Sequence, residues 1–553
     1  MVRSPLTSGN GPFGTPRGEW LLSGGRNGAV SRARGAATLQ QANSERSEFW
    51  GVLPALLAGF VHWGVLGGDF RSDDFVHLFR IENFGFVDFV LQSYGGHLLL
   101  VRNAVFFLEH WLFGLDAFPY LVVALATHVL NTFLLFRVLV RHVCGAVVAV
   151  VLASLWGMSP LSQEALSWLS VYGQVLASTF LLLLLDRVLS CRSGGGRPSG
   201  TQVFGWLVLL FLLAASFGTG LAVAVPAVVW LPLLLPARGV DRRLVLSLLG
   251  LAVALPLLYV SLHLFTAPMS EASGSLRLQR SALDPDNWSL AISFAAGMVR
   301  FGLASLMLGP LVVADVTGVV TGPFQGTSVR EVLSLSRGVL WVGLCVLGVG
   351  LATARGEARR RLLAFTCLAL FSYGVVALGR GVLYQALVRP LWVGQIVPRY
   401  QDLPSIAVAL LIGGLLARFR VGTDSLRVLG VACVALVVLA GPYATASRDL
   451  EFPNRQDGRA AFDRVRAQLA ERIERSPRGE AVYIPNQEFS GLGRWLAKGD
   501  FFPGWAGIFV IAFPADVVDG RPVFFIEGDP ETRAMAARWP RTRIARLLVE
   551  SRP

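Results

Sequence analysis

Long apolar segments recur along most of this chain, and they restrict its fold more than any other feature of the sequence. A helix of roughly 17 to 25 apolar residues crosses a hydrocarbon layer about 30 Å thick. Only 15% of the residues are charged, whereas soluble domains carry about 25%. The sequence therefore predicts an all-α polytopic membrane protein with about 11 transmembrane helices. The predicted spans are residues 49–68, 119–140, 145–158, 166–187, 202–217, 219–236, 244–265, 338–354, 362–379, 402–417 and 427–445.

The net charge of +13 raises the question of a nucleic-acid partner. The arginines, however, are concentrated in short loops between apolar segments, which is the positive-inside pattern of membrane proteins. Placing these loops in the cytoplasm puts the N-terminus inside and the intervening loops outside, and it argues against nucleic acid. The arginine clusters lie at residues 137–141, 187–197, 238–243, 355–361 and 418–427.

Composition divides the chain into three regions. Residues 1–47 are rich in Gly, Ser and Arg without periodicity, and they are predicted to be a disordered, basic cytoplasmic tail. Residues 48–447 form the predicted transmembrane domain; within it, 288–314 is expected to be re-entrant, because a crossing there would move the later arginine clusters outside. Residues 448–553 combine the strand patterns AVYIPN, IFVIAFP and PVFFIE with helical patterns, and they predict a small extracytoplasmic α/β domain. The five cysteines have no paired spacing, which indicates neither a disulfide framework nor a metal site.

The stretch GGDFRSDDFVHLFR, residues 67–80, carries the acidic residues Asp69, Asp73 and Asp74. Asp73, His77 and Arg80 are spaced i, i+4, i+7, which predicts that they share one helix face, with Phe75, Leu78 and Phe79 toward the other. One interpretation is an interfacial helix whose polar face is solvated. The alternative is a carboxylate at the boundary between water and membrane that acts as a general base. The residues alone do not decide between the two.

Polar side chains also interrupt the apolar segment 95–120 and the span after it. Arg102 and Glu109 are seven residues apart, so they can share a face and pair, whereas His97 and Arg102 can instead contact an anion such as lipid phosphate. His128 lies three residues before Asn131 inside a predicted span. Such a pair more often joins helices than takes part in chemistry, and His128 is therefore both a candidate ligand-binding residue and a candidate interhelical contact.

Two later segments add aromatic and cationic candidates. In SPLSQEALSWLS, Glu164 and Trp168 are one helical turn apart, which is typical of a sugar-binding site and equally of an interfacial aromatic belt. Residues 377–404 form a predicted external loop with an excess of positive charge. Guanidinium groups there suit phosphate oxygens, and anionic lipid headgroups are the alternative. The candidate residues in this loop are Arg380, Arg389, Arg399 and Tyr400.

The order and spacing of these motifs resemble those of the polytopic GT-C glycosyltransferases, especially the protein O-mannosyltransferase-like group and its tetratricopeptide-linked relatives. The resemblance covers residues 69–190 and includes the DD of the first loop, LFGLDAFPY, ALATHVLNTFLLF and SPLSQEALSWLS. The later GR…RY loop looks like a feature of bacterial members. The chain departs from the pattern at Leu100-Val101-Arg102, where the family has RP and this chain has no proline, and at Ser159-Pro160, where the family has HP. No tetratricopeptide repeats follow, so the acceptor is the least specified part of the resemblance.

The resemblance implies transfer of a mannose-like sugar from a polyprenyl-phosphate donor to a hydroxyl of a protein, lipid or glycan, on the outer face of a bacterial cytoplasmic membrane. It implies that the first external loop, residues 69–118, carries Asp73 as general base, with Asp74 or Asp69 as the alternative. It also implies that Arg380, Arg389 or Arg399 holds the leaving phosphate. Such inverting chemistry requires no metal; His77 and His97 are available to a divalent ion, but no ligand spacing indicates one.

Two other functional classes are compatible with the sequence. A transporter or flippase of lipid-linked glycans would favour internal repeats and helices broken within the membrane, and neither is evident from the sequence. A non-catalytic envelope scaffold is indicated only by the C-terminal region.

Overall fold

A computed structural model describes residues 48–70, 74, 77–78, 81, 85–92, 94, 97–114, 116–193, 197–236, 239–266, 284–308, 329–386, 397–419, 427–448, 482–483 and 523–524. The longer helices are α1 Val52–His62, α2 Phe86–Leu91, α3 Leu100–Phe113, α4 Ala117–Val138, α5 Ala146–Gly157, α6 Gln163–Ser167, α7 Gly173–Ser193 and α8 Gly200–Ser216. They continue with α9 Gly218–Ala224, α10 Ala227–Leu234, α11 Arg242–Thr266, α12 Trp288–Leu308, α13 Val329–Thr353, α14 Gly356–Ala386, α15 Asp402–Leu416 and α16 Arg427–Arg448. Short 3-10 or π turns extend or join several of them, including Leu169–Val171 and Pro398–Tyr400.

The prediction of a helical membrane protein is confirmed. Among the described residues, six helical segments are long and apolar enough to cross a membrane, and α5 with the bent segment Pro160–Ser167 makes a seventh if the pair, which bends by 42°, is one span. Each of the predicted spans coincides with helical residues, although 219–236 is divided into α9 and α10 at Pro226. The six are Phe49–Gly67, Ala117–Val143, Leu169–Arg192, Arg242–Phe265, Gly356–Arg380 and Arg427–Arg448. A total of about 11 crossings stays a prediction, as does the re-entrant character of α12.

The apolar packing is centred on the helix α7. Of the 18-residue apolar stretch in its candidate span, 78% is buried inside the protein, whereas only 17% of the corresponding stretch in the span that contains α11 is buried. The polar side chains Gln174 and Ser178 of α7 are buried in the protein, whereas α11 has an apolar surface suited to lipid. The helices α4, α8 and α15 pack against α7 and bring the segments that flank them to its two ends.

Arginine side chains cap the C-terminal ends of several helices. These ends lie on the side of the protein where α7 carries Arg192. Each arginine donates to backbone carbonyl groups at or near a helix C-terminus, where positive charge also complements the helix dipole. The pairs are Arg192 with Leu234, Arg360 with Pro232, Arg361 with His142, and Arg418 with Gly350 and Thr353. Some of the arginines that the sequence assigns to cytoplasmic loops thus also cap helices.

Two short strands are described near the C-terminus. Strand β1, Val482–Tyr483, pairs in parallel with β2, Val523–Phe524. They fall within the predicted strands AVYIPN and PVFFIE. The remaining predicted elements of residues 448–553, and the tail 1–47, lie outside the described residues, so the α/β domain and the tail stay predictions.

Candidate functional site

The acidic first loop contributes one buried helical face. Asp74, His77, Leu78 and Ile81 are helical and buried, and their i, i+3, i+4, i+7 spacing places them on the same side. Because both His77 and Leu78 are buried, the predicted division into a polar and an apolar face is not seen at these two residues, and at Phe75 and Phe79 it lies outside the described residues. Asp73, Arg80 and, in the later loop, Arg389 lie outside the described residues.

Asp74 anchors the first loop to the start of the central helix. Its side chain is fully buried, and its Oδ1 accepts hydrogen bonds from the backbone N and the Oγ of Ser170, both at 2.6 Å. Hydrogen bonds to a carboxylate are stronger than neutral ones, so this contact holds the loop against the turn Leu169–Val171. Asp69 lies nearer the end of α1 and accepts a hydrogen bond from the backbone N of Phe70 at 2.8 Å.

His77 is joined to Arg102 of helix α3. The Nη2 of Arg102 donates to the Nε2 of His77 at 2.8 Å, and the guanidinium lies 5.8 Å from the ring centre of Phe106. The ring of Tyr94 packs edge-on against His77 at 4.7 Å between centroids. Arg102 is completely buried, so its positive charge is held within the protein by packing as well as by hydrogen bonding.

Glu109 lies on the same helix but does not form the predicted pair. No ion pair between Glu109 and Arg102 is present, and neither carboxylate oxygen of Glu109 has a hydrogen-bond partner among the described residues. Its side chain is only 4% exposed. Burial raises the pKa of Glu109 to about 8, although Arg102 acts in the opposite direction. Glu109 is thus an enclosed acid that is protonated over most of the neutral range.

His97 connects the first loop to the end of the helix α14. Arg380 donates from Nη2 to the Nε2 of His97 at 2.7 Å, and the His97 ring stacks on Phe217 with centroids 4.4 Å apart. A Cβ atom at Gly218 would lie 2.4 Å from the Nδ1 of His97, so this close approach requires glycine. Burial lowers the pKa of His97 well below its usual value, and the charges of Arg380, Arg399 and Arg102 lower it further. His97 is therefore a neutral acceptor.

Arg399 forms a second connection, to the helix α6. Its Nη1 donates to Oε1 of Glu164, and its guanidinium lies 5.1 Å from the ring centres of both Trp168 and Tyr400. Arg380 lies 5.6 Å from the same Tyr400 ring. Tyr400 thus lies close to two guanidinium groups. Its burial opposes ionisation, but the two arginines outweigh this and hold the pKa of Tyr400 below its usual value.

These contacts join residues from three distant parts of the sequence into one cationic cluster. Three arginines act on His97 electrostatically, and Glu164 is the acidic side chain that pairs with one of them. Two aromatic rings line the same region. Buried or partly buried guanidinium groups that outnumber the described acidic side chains around them favour a bound anion, and guanidinium groups match phosphate oxygens in charge and geometry. The cluster, called the arginine cluster below, consists of His97, Arg102, Glu164, Trp168, Arg380, Arg399 and Tyr400.

His128 lies among helices and not in the arginine cluster. Its Nε2 donates to the carbonyl of Gly157 at 2.9 Å, and Asn131 donates to the carbonyl of Val175 at 2.8 Å. The ring of His128 also packs against His62, edge to face, at 5.2 Å. These contacts connect α4 to α5, α7 and α1, which is the interhelical role that the sequence left open.

Asp402 is a site residue that the sequence interpretation did not select. It is buried at the start of α15, two residues after Tyr400, and it accepts hydrogen bonds from Ser162 at 2.8 Å and from Ser178 at 3.0 Å. These bonds fix the segment that carries Arg399 and Tyr400 against α7. A single acid at the start of an apolar span, directly after an arginine-rich loop, is the signal that identifies it.

Metal-binding groups are not clustered in the described part of the chain. No three His, Cys, Asp or Glu side chains there lie close enough together to hold a metal ion. The five cysteines are free thiols.

Comparison of the sequence with protein-family models and with curated proteins finds no match. The resemblance to GT-C glycosyltransferases therefore stays an expectation drawn from the order and spacing of short motifs.

Proposed function

We propose that this protein is a membrane glycosyltransferase of the GT-C type, which transfers a mannose-like sugar from a polyprenyl phosphate to an acceptor hydroxyl. The observation that carries the proposal is the arginine cluster, in which Arg380 donates a hydrogen bond to His97 and Arg399 forms an ion pair with Glu164. Because the chain is embedded in a membrane, a phosphate attached to a lipid is the anion best able to reach such a cluster. The reaction would take place on the outer face of the bacterial cytoplasmic membrane, with the N-terminus inside.

The arginine cluster has the chemistry needed for the leaving group. When the bond between the anomeric carbon and the phosphate oxygen breaks, the electron pair stays with the phosphate, and negative charge increases there. Arg380 and Arg399 supply fixed positive charge, which stabilises the transition state more than the bound donor. Neutral His97 orients the guanidinium of Arg380 by accepting its hydrogen bond.

The acidic first loop supplies the base in this proposal. The acceptor oxygen attacks the anomeric carbon from the face opposite the phosphate, and a carboxylate removes the hydroxyl proton, so that the configuration inverts. Asp73 is the proposed base. The neighbouring Asp74 already accepts two hydrogen bonds from Ser170, which suits it to positioning the loop. The acceptor is a protein, a lipid or a glycan.

The surface of helix α3 is compatible with a lipid-linked donor. Leu108, Trp111 and Leu112 are exposed on this helix, while Arg102 and Asn103 are buried. An apolar outer face with a tryptophan is typical of a helix at the membrane boundary. A polyprenyl chain would therefore find apolar surface beside the cationic residues that hold its phosphate.

Substitution of Asp73 tests the proposal directly. In membranes that contain Asp73→Asn, transfer from radiolabelled polyprenyl-phosphate mannose should fall by about 100-fold or more, because the variant cannot accept the proton. Asp116→Asn is the matched control, since Asp116 is exposed and caps α4 through the backbone N of Phe118. Unchanged transfer by well-expressed Asp73→Asn would reject Asp73 as the base.

A transporter of lipid-linked glycans is the second candidate. The division of one predicted span into α9 and α10 at Pro226, and the 42° bend after α5, are the features that favour it. Movement of a lipid-linked sugar across vesicles, without any transfer of sugar to an acceptor by the wild-type protein, would support this candidate over the glycosyltransferase.

A further inference from the structure

A cavity lies between the end of the helix α7 and the beginning of α8, on the side of the molecule that carries Arg192. Its volume is about 630 Å³. Arg187 and Arg197 line it together with Thr201 and Gln202, and no acidic side chain of the described residues does. Asp186, the acid next to Arg187 in the sequence, is instead engaged by His142 and Arg137. The described side chains that line this cavity therefore contribute positive charge and no negative charge.

The cavity changes from polar to apolar along α8. Thr201 and Gln202 are at the start of this helix, whereas Gly205, Trp206 and Leu209 line the cavity one to two turns further along. Because the rise is about 1.5 Å per residue, the polar and apolar ends are roughly 10 Å apart. A small inorganic anion would use only the polar end. An amphiphile with a negatively charged head and an apolar body would use both.

Gly205 provides the space for such a molecule. A Cβ atom at this position would have no neighbouring atom within 4 Å. Glycine in the interior of a helix costs stability relative to alanine, about 1 kcal/mol, and the packing of this helix does not require it here. Its absent side chain leaves the middle of the cavity open.

We propose that this cavity binds the headgroup of an anionic phospholipid, separately from the arginine cluster. Arg187 and Arg197 pair with the phosphate. The hydroxyl of Thr201 and the amide of Gln202 form hydrogen bonds with the headgroup. Trp206 and Leu209 contact the glycerol and the first acyl carbons. Basic pockets between membrane helices that end in an apolar wall are suited to such lipids. The bound lipid would connect α7 to α8 across the short loop between them.

Native mass spectrometry of the full-length protein tests this site, with phosphatidylglycerol compared with phosphatidylcholine at equal concentration. We expect wild-type protein to retain phosphatidylglycerol preferentially. The double variant Arg187→Gln/Arg197→Gln should retain roughly tenfold less of it, because each cation contributes to binding. The double variant Arg242→Gln/Arg355→Gln removes the same charge outside the cavity and should retain the lipid as the wild type does.

A cavity-filling variant separates the site from general surface charge. Gly205→Leu keeps both arginines but places a side chain where the lipid would lie, and it should lose phosphatidylglycerol selectively while the protein stays folded. Gly250→Leu is the matched control, because a Cβ at Gly250 in α11 also meets no atom within 4 Å. Equal retention by the Gly205→Leu and Gly250→Leu variants, or equal retention of the two lipids by the wild type, would overturn the proposal. Competition by inorganic phosphate alone at millimolar concentration would also overturn it, since the apolar wall would then be unused.

Discussion

Arg380 donates a hydrogen bond to His97 across 2.7 Å, although 283 residues separate the two in the sequence. Because the guanidinium can only donate, Nε2 of His97 is the acceptor, and the proton of the neutral ring is on Nδ1. Stacking on Phe217 and the close approach of Gly218 hold the ring in this orientation. The pair thus presents a positioned guanidinium at the point where the first loop meets the end of α14.

Replacing Arg380 should reduce sugar transfer far more than it reduces stability. Arg380→Gln removes the charge proposed to stabilise the leaving phosphate, and transfer from the lipid-linked donor should fall by about 100-fold or more. Arg380→Lys should recover part of the activity, because it restores the charge without the planar fork. Arg418→Gln is the control, since Arg418 contacts the carbonyls of Gly350 and Thr353 away from the cluster. Similar losses in both glutamine variants would contradict a specific role.

A methyl group at Gly218 should disturb the same site without changing any charge. The new Cβ in Gly218→Ala would lie 2.4 Å from the Nδ1 of His97, so the ring must move away from Arg380 or from Phe217. Overpacking of this kind lowers the free energy of unfolding by about 1 to 3 kcal/mol, and it should lower both the melting temperature and the transfer rate. Gly250→Ala, where the added methyl group meets open space, should lower neither. Wild-type activity in Gly218→Ala would show that the His97 position is unimportant.

The lowered pKa of His97 predicts a pH dependence of stability with a definite sign. The unfolded chain takes up a proton near the ordinary histidine pKa, whereas the native state takes it up only at lower pH. Below that ordinary pKa the unfolded state therefore binds more protons, and stability falls as the pH falls. His97→Gln should reduce this fall by up to about 1.4 kcal/mol per pH unit. Melting temperatures of both proteins in detergent between pH 7.5 and pH 5 provide the measurement; parallel curves would contradict the shift.

The helices and the candidate residues could be predicted from the sequence, since both depend on local properties. A long apolar segment has few stable states in a bilayer other than a helix. A charged residue in such a segment stands out because its burial is costly unless it has a partner or a function. His97 and Arg102 are identified in this way, Glu164 by its spacing from Trp168, and Arg380 and Arg399 by the excess of positive charge in a predicted external loop; the structure brings all five together.

The partners of these residues could not be predicted, because they depend on packing between distant segments. Arg102 and Glu109 are on one face of α3 but two turns apart, roughly 10 Å along the axis. His77, which lies outside α3, accepts the hydrogen bond from the guanidinium instead. In the first loop, periodicity alone placed His77 and Leu78 on opposite faces, whereas the structure buries both. Spacing limits which residues can meet, and tertiary packing selects among them.

The enclosed carboxyl group of Glu109 gives the last prediction, and its sign is opposite to that of His97. The pKa of Glu109 is raised to about 8 by burial, so the native state holds a proton that the unfolded chain releases near the ordinary glutamate pKa. Between these two values unfolding releases a proton, and stability decreases as the pH rises.

Glu109→Gln keeps the shape of the protonated acid but has no proton to release on unfolding. The variant should therefore be more stable than the wild type, with a difference that grows by up to about 1.4 kcal/mol per pH unit from pH 5 to pH 8. Thermal unfolding of both proteins in detergent at pH 5, 6.5 and 8 measures this difference, with Asp88→Asn, an exposed carboxylate of α2, as the control. A Glu109→Gln variant that is less stable at pH 8 than at pH 5, relative to the wild type, would show that Glu109 is ionised and paired in the native protein.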